Sequence, residues 1–179
     1  MSTRRVADVI FCLDASASMQ PCIQAVRRHI GDFVRGLHSD PQSTWDVRLD
    51  FVAHSASEDA DATVFRQRSL HNESVVGALY AGSQSARFFT TDVEQFSRGL
   101  NDVEVSGNEA PLVALDTCLD FPWRDAAECH RVVILMTDEP LESGVLVNDQ
   151  LQMLPAVIDK IQKLRVMLFI VAPPSDGFS

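Results

Sequence analysis

Three short runs in this chain are almost wholly apolar: "ADVIFCL" near the start, "RVVILM" at 131–136 and "RVMLFIVA" at 165–172. A strand that is apolar at successive positions has no solvent face, so it belongs inside a sheet covered on both sides. Between these runs lie segments with helical periodicity. In "QPCIQAVRRHIGDFVRGL", Ile23, Val26, Ile30, Phe33, Val34 and Leu37 recur on one face, with Gln24, Arg27, Arg28 and Arg35 opposite. Pro21 suits the first turn of that helix. In "LQMLPAVIDKIQKL", Leu151, Leu154, Val157, Ile158, Ile161 and Leu164 mark another helix, with Pro155 expected to kink it or to begin it late. Apolar strands alternating with amphipathic helices predict an α/β fold, a mostly parallel sheet with helices on both faces.

The remaining segments fit around that frame. "WDVRLDFVAH" alternates, which predicts a half-buried strand with Val47, Leu49, Phe51 and Ala53 inward and Asp46, Arg48 and Asp50 outward. "SASEDADA" reads as a polar connector, and "TVFRQRSL" as an antiparallel edge strand guarded by its arginines. "ESVVGALY" reads as a short helix, while "SDPQS", "AGSQSA" and "VSGNEAPL" read as loops. Thr91 and Glu94 fit a capping box opening a helix to Leu100, and Pro111 opens the next one. The 179 residues suffice for one domain with a sizeable core, and there is no internal repeat or linker.

The net charge of −10 disfavours nucleic acid as a partner. No stretch approaches the ~18 apolar residues of a membrane span, and the N-terminus lacks a secretory pattern. Cys12, Cys22, Cys118 and Cys129 have no metal or disulfide spacing. They read as free thiols, and the expected location is cytoplasmic.

Two apolar strands end in acids: Asp14 after "VIFCL" and Asp138 after "VVILMT". In an open parallel sheet, ligands sit beyond the carboxyl ends of the strands. Two buried carboxylates there repel unless a cation joins them. Asp14, Ser16 and Ser18 offer three oxygens on one turn of chain, and hard cations such as Mg²⁺ take oxygen ligands. As isolated residues, Asp and Ser at this place also suit a turn or helix cap.

Asp14-Ala15-Ser16-Ala17-Ser18 resembles the Asp-x-Ser-x-Ser signature of von Willebrand factor type A (vWA) domains. The order of elements from about Ala7 to Ala172 resembles that family too. The resemblance implies a Rossmann-like fold and a metal-ion-dependent adhesion site, with Asp14, Ser16, Ser18 and Asp138 holding Mg²⁺ or Mn²⁺. It implies an adaptor or assembly module that binds a partner protein's acidic side chain, as in intracellular bacterial members beside ATPases or kinase–phosphatase systems. It implies no enzyme. The family's second loop carries Thr, whereas "GNEAPLVAL" places Glu109 there, so Glu109 is the fifth candidate ligand. The family pattern continues with a helix and a sixth strand after a segment like "VMLFIVA". Here fewer than ten residues follow, which implies a domain shortened at that point or an edge covered by another chain.

Two other readings accompany this one. A metal-dependent hydrolase would use the same ion and need a base, with Glu109 and His54 the residues available. A structural domain would keep a vestigial site. Motifs for nucleotide or dinucleotide binding and for serine hydrolysis are absent. His54 is expected to be structural, Asp116 and Asp120 to lie on a solvated helix face, and Asp8 to lie at the surface. Trp45 and Trp123 are expected to pack.

Overall fold

The computed structural model describes residues 3–38, 43–59, 62–80, 87–138, 140 and 145–172. The predicted loops "SDPQS" (but for Ser43) and "AGSQSA", residues 60–61 of the predicted connector and the end "PPSDGFS" lie outside the described residues. The strands are β1 (Thr3–Asp14), β2 (Ser43–Asp59), β3 (Ala62–Ser69), β4 (His130–Met136) and β5 (Val166–Val171). The helices are α1 (Gln20–His38), α2 (Val75–Tyr80), α3 (Val93–Gly99), α4 (Pro111–Leu119) and α5 (Val147–Leu164). Single 3₁₀ turns occupy Ala17–Met19 and Leu100–Asp102.

The five strands form one sheet in the order β3-β2-β1-β4-β5, parallel except for the β2–β3 hairpin. β1 is therefore central, and strand parity sorts its side chains onto two faces. Ile10 and Cys12 join Val52, Val133 and Leu135 beneath α4 and α5, against Leu112, Leu115, Cys118 and Val157. Val9, Phe11 and Leu13 join Leu49 and Phe51 beneath α1 and α3, against Ile30, Phe96 and Leu100. This is the expected three-layer α/β arrangement.

Several local expectations are corrected. β2 continues through "SASED", so the predicted polar connector is mostly strand. The outward face expected for β2 is not solvated, because the strand lies second from the edge with helices over both faces. Asp50 is fully buried there and accepts the backbone N–H groups of Phe51, Leu70 and Phe89 at 2.8, 3.1 and 2.7 Å. Burial pushes its carboxyl up to about 6 against the pull of those three donors.

Asp8 is likewise buried rather than at the surface. Arg48 grips it through two bonds of 2.8 and 2.6 Å, and Arg124 adds Nε at 2.7 Å and its backbone N–H at 2.9 Å. Burial alone would raise the Asp8 pKa, but these bonds outweigh it and hold the carboxyl below its ordinary value. The cap of α3 is Asp92, which accepts from the N–H groups of Glu94 and Gln95, and not Thr91. Its carboxylate sits one residue nearer the helix than the Thr91 hydroxyl, where it reaches both orphan donors.

α5 starts at Val147, four residues before the predicted segment, and carries Pro155 in its interior. Pro155 is exposed there. β5 was expected to be a buried strand, but among the described residues it pairs only with β4. Met167, Phe169, Ile170 and Val171 remain 42–59% exposed.

Candidate metal centre

The parallel register sets the site. β1 and β4 are neighbours, with Leu13 beside Met136, so Asp14 and the Thr137-Asp138 pair leave the sheet at the same end. Asp14 is fully buried. Its Oδ1 accepts the Ser16 N–H at 2.7 Å and its Oδ2 accepts the Thr137 hydroxyl at 3.1 Å. Burial raises the Asp14 carboxyl above its ordinary value, those donors oppose the rise, and the charge of Asp138 adds to it.

Ser16 occupies the N-cap position of the 3₁₀ turn, yet its hydroxyl does not cap. Instead Ser16 Oγ and Ser18 Oγ face each other at 3.0 Å. The hydroxyls therefore do not cap a helix, while the Ser16 N–H bond to Asp14 Oδ1 is the Asx turn expected of an Asp at this place. Asp138 is half-buried, and its Oδ1 is enclosed with no hydrogen-bond partner among the described residues. Among those residues no cation forms an ion pair with Asp14 or Asp138.

Glu109 reaches the head of α4 through a pinned loop. The loop pairs with β2 through reciprocal N–H···O bonds of 2.7 Å between Ala56 and Asn108. Ser106 donates to the Ala15 carbonyl at 2.8 Å, and Val145 donates to the Glu109 carbonyl at 3.0 Å. Gly107 makes the approach possible: its φ is +76°, and a Cβ there would collide with the Ala56 carbonyl. The Glu109 side chain is buried, not an exposed loop acid. Among the described residues, however, no three Asp, Glu, His or Cys side chains converge tightly enough to enclose an ion. The predicted five residues thus divide. Asp14, Ser16 and Ser18 are together, Asp138 follows the adjacent strand by two residues, and Glu109 lies just before α4 without joining a carboxylate triad among the described residues.

Orphaned carboxylate oxygen beside a second buried acid, with two hydroxyls turned toward each other, is a donor set suited to a hard divalent cation. Three nearby residues carried little sequence signal. Thr137 supplies the hydroxyl that holds Asp14, which only the β1–β4 register reveals. Cys22, in the first turn of α1, has its thiol pushed up by burial and by the charges of Asp138 and Asp14. His54 stands beside Asp14 in the β1–β2 register, 2% exposed, with both ring nitrogens unpartnered among the described residues. Burial lowers its pKa to about 4, so the ring is neutral. Those nitrogens are enclosed, and His54 also lines the cavity beside the site.

A cavity of about 340 Å³ lies beside the site, between the β2–β3 hairpin and the 102–106 segment, with Ala15 and Ser106 in its wall. Asp116 and Asp120 both pair with Lys160 at 2.8 Å, tying α4 to α5 rather than serving the site.

No family model matches the chain, and no curated protein matches it by sequence. Among solved structures, a von Willebrand factor type A protein from Catenulispora acidiphila superposes with a TM-score of 0.55 at 14% identity, over 95% of this chain and 33% of that one. The fold is that of a von Willebrand factor type A domain. Proximal thread matrix protein 1 from the mussel byssus also superposes, with a TM-score of 0.51 at 18% identity over 96% of this chain and 38% of that one. A second structure of that protein, described as having a zinc-occupied MIDAS motif, matches with a TM-score of 0.51 at 16% identity over 96% and 39%. The chain spans between 33% and 39% of the length of these structures.

Proposed function

We propose that this vWA domain is a metal-dependent protein-interaction module whose ion is held by Asp14, Ser16, Ser18 and Asp138, with Glu109 as an additional carboxylate donor. The observation that carries the reading is the enclosed Oδ1 of Asp138, without a hydrogen-bond partner among the described residues, beside the buried Asp14 carboxylate. A cation would offset both desolvation and mutual repulsion there. The oxygen-only donor set favours Mg²⁺ or Mn²⁺. Zinc occupies the corresponding motif of the mussel protein, so a divalent ion suits this fold. When bound, the ion would supply a positive charge at the carboxyl ends of the central strands β1 and β4 that an Asp or Glu of a partner protein can engage. The chain's own residues position that charge through the Ser16 N–H and Thr137 hydroxyl bonds to Asp14.

The reading includes an adaptor role in the cytoplasm, supported by four unpaired cysteines, three of them buried. It extends to partners such as an ATPase or a kinase–phosphatase assembly, on the sequence resemblance alone. Calorimetric titration of Mg²⁺ and Mn²⁺ into the native chain and Asp14→Ala tests it. One ion per chain, absent in the variant, is the expected result. No heat and no change in melting temperature with either ion would overturn the metal reading.

A further inference from the structure

We infer that the cavity between the β2–β3 hairpin and the 102–106 segment binds a small amphoteric molecule of the basic amino acid class, with one carboxylate and up to two cationic nitrogens. The hairpin register sorts the cavity floor. Ser55 stands opposite Arg66, and Ala53 opposite Arg68. These four side chains share the sheet face that carries α3, because Ala53 packs with Phe96 and Leu100. The intervening pair is His54 and Gln67. It turns to the other face, where Gln67 accepts the Thr117 hydroxyl of α4 at 2.8 Å. The arginines that the sequence presents as edge guards therefore stand with a serine on one patch of sheet, in the wall of the 340 Å³ cavity.

The groups left free there select the ligand. Ser55 is only 8% exposed, and its hydroxyl has no hydrogen-bond partner among the described residues. That oxygen is not among the enclosed unpartnered atoms, so it opens on the cavity that Ser55 lines. Arg66 forms no ion pair among the described residues. Directly opposed side chains on antiparallel strands start ~5 Å apart, so the Arg66 guanidinium and the Ser55 hydroxyl can reach one carboxylate together. Arg68 is more committed. Its Nη1 donates to the Asp102 carbonyl at 2.5 Å and its Nη2 lies 3.6 Å from Glu73. It holds the wall and adds positive charge behind the bound carboxylate.

The 102–106 wall is acidic. Asp102 and Glu104 line it, both are exposed, and neither carboxylate forms an ion pair among the described residues. One free cation on the floor and two free anions in the wall match a ligand with one carboxylate and up to two cations. A dicarboxylate or a polyphosphate would meet those two acids and a chain of net charge −10. Small-molecule sites span roughly 300–1,000 Å³, so this cavity suits a single small molecule and not a dinucleotide. None of the groups that read the ligand is a candidate metal ligand, so the inference stands apart from the metal reading.

Calorimetric titration of the native chain in chelator, which silences the metal centre, tests the inference. The probes are free lysine and free arginine, with cadaverine for the cationic ends alone, acetate for the carboxylate alone and glutamate for the reversed charge. Saturable binding of lysine or arginine, one per chain, is the expected result, with cadaverine, acetate and glutamate all far weaker. Arg66→Gln is expected to weaken that binding by about tenfold, the weight of a hydrogen bond to a charged group. Ser55→Ala and Glu104→Gln are expected to weaken it too, while Arg98→Gln on α3 leaves it unchanged. Melting temperatures check that each variant is folded, and Arg66 and Glu104 are exposed enough to be replaced without disturbing the core. No saturable heat with lysine or arginine would overturn the inference. So would cadaverine binding as tightly as lysine, or affinity that survives both Arg66→Gln and Ser55→Ala.

Discussion

Asp50→Asn isolates one buried charge. Asp50 is fully buried on β2 and holds three backbone N–H groups, two at Oδ1 and that of Phe89 at Oδ2. Burial raises its pKa from 3.8 to about 6, a gap worth about 3 kcal/mol at about 1.36 kcal/mol per unit. An acid with a raised folded pKa binds its proton more tightly when folded. Its stabilising share is therefore present at low pH and lost as pH rises from about 4 to about 6. Asparagine carries no charge and keeps one oxygen for Phe51 and Leu70, but its NH₂ cannot accept the Phe89 N–H. The variant is thus expected to be less stable than the native chain near pH 4, by about 1–3 kcal/mol for that lost bond. By pH 7 the variant gains about 3 kcal/mol relative to the native chain. Paired urea unfolding from pH 4 to pH 7 measures the difference, and the other carboxylates cancel in it. A difference that stays flat with pH, or a trend of opposite sign, would mean that the three N–H donors outweigh desolvation, refuting the reasoning.

Asp8→Ala is expected to cost about 3–5 kcal/mol by denaturant unfolding, because it leaves Arg48 and Arg124 facing an empty, enclosed site. A loss below about 1 kcal/mol would show the network to be a surface pair. Gly107→Ala is expected to cost about 2 kcal/mol or more, from positive φ and the collision with Ala56. Because the same loop carries Glu109, the variant is also expected to weaken divalent-ion binding in calorimetry.

Much of the site was legible in the sequence because its residues are local to strand ends. Asp14, Ser16 and Ser18 sit on one turn, and Asp138 follows an apolar run, so a two-strand hypothesis predicts their meeting. Thr137 and His54 were not legible as neighbours of Asp14, since only the registers of β4 and β2 against β1 place them there. Glu109 was assigned from its position in a loop. Its burial depends on Gly107 and on hydrogen bonds to Ala15 and Ala56, residues far off in the chain.

The periodicity of the chain determined the α/β class, the helices and the two acid-tipped strands, because side-chain period is a local property of the backbone. Strand order decided the rest. It buried Asp50 in a strand whose alternation looked half-solvated, and enclosed Asp8 between arginines from β2 and the segment after α4. It also left β5, as apolar as any central strand, at the edge. Apolar composition reports what a strand can bury, whereas its neighbours decide whether it does.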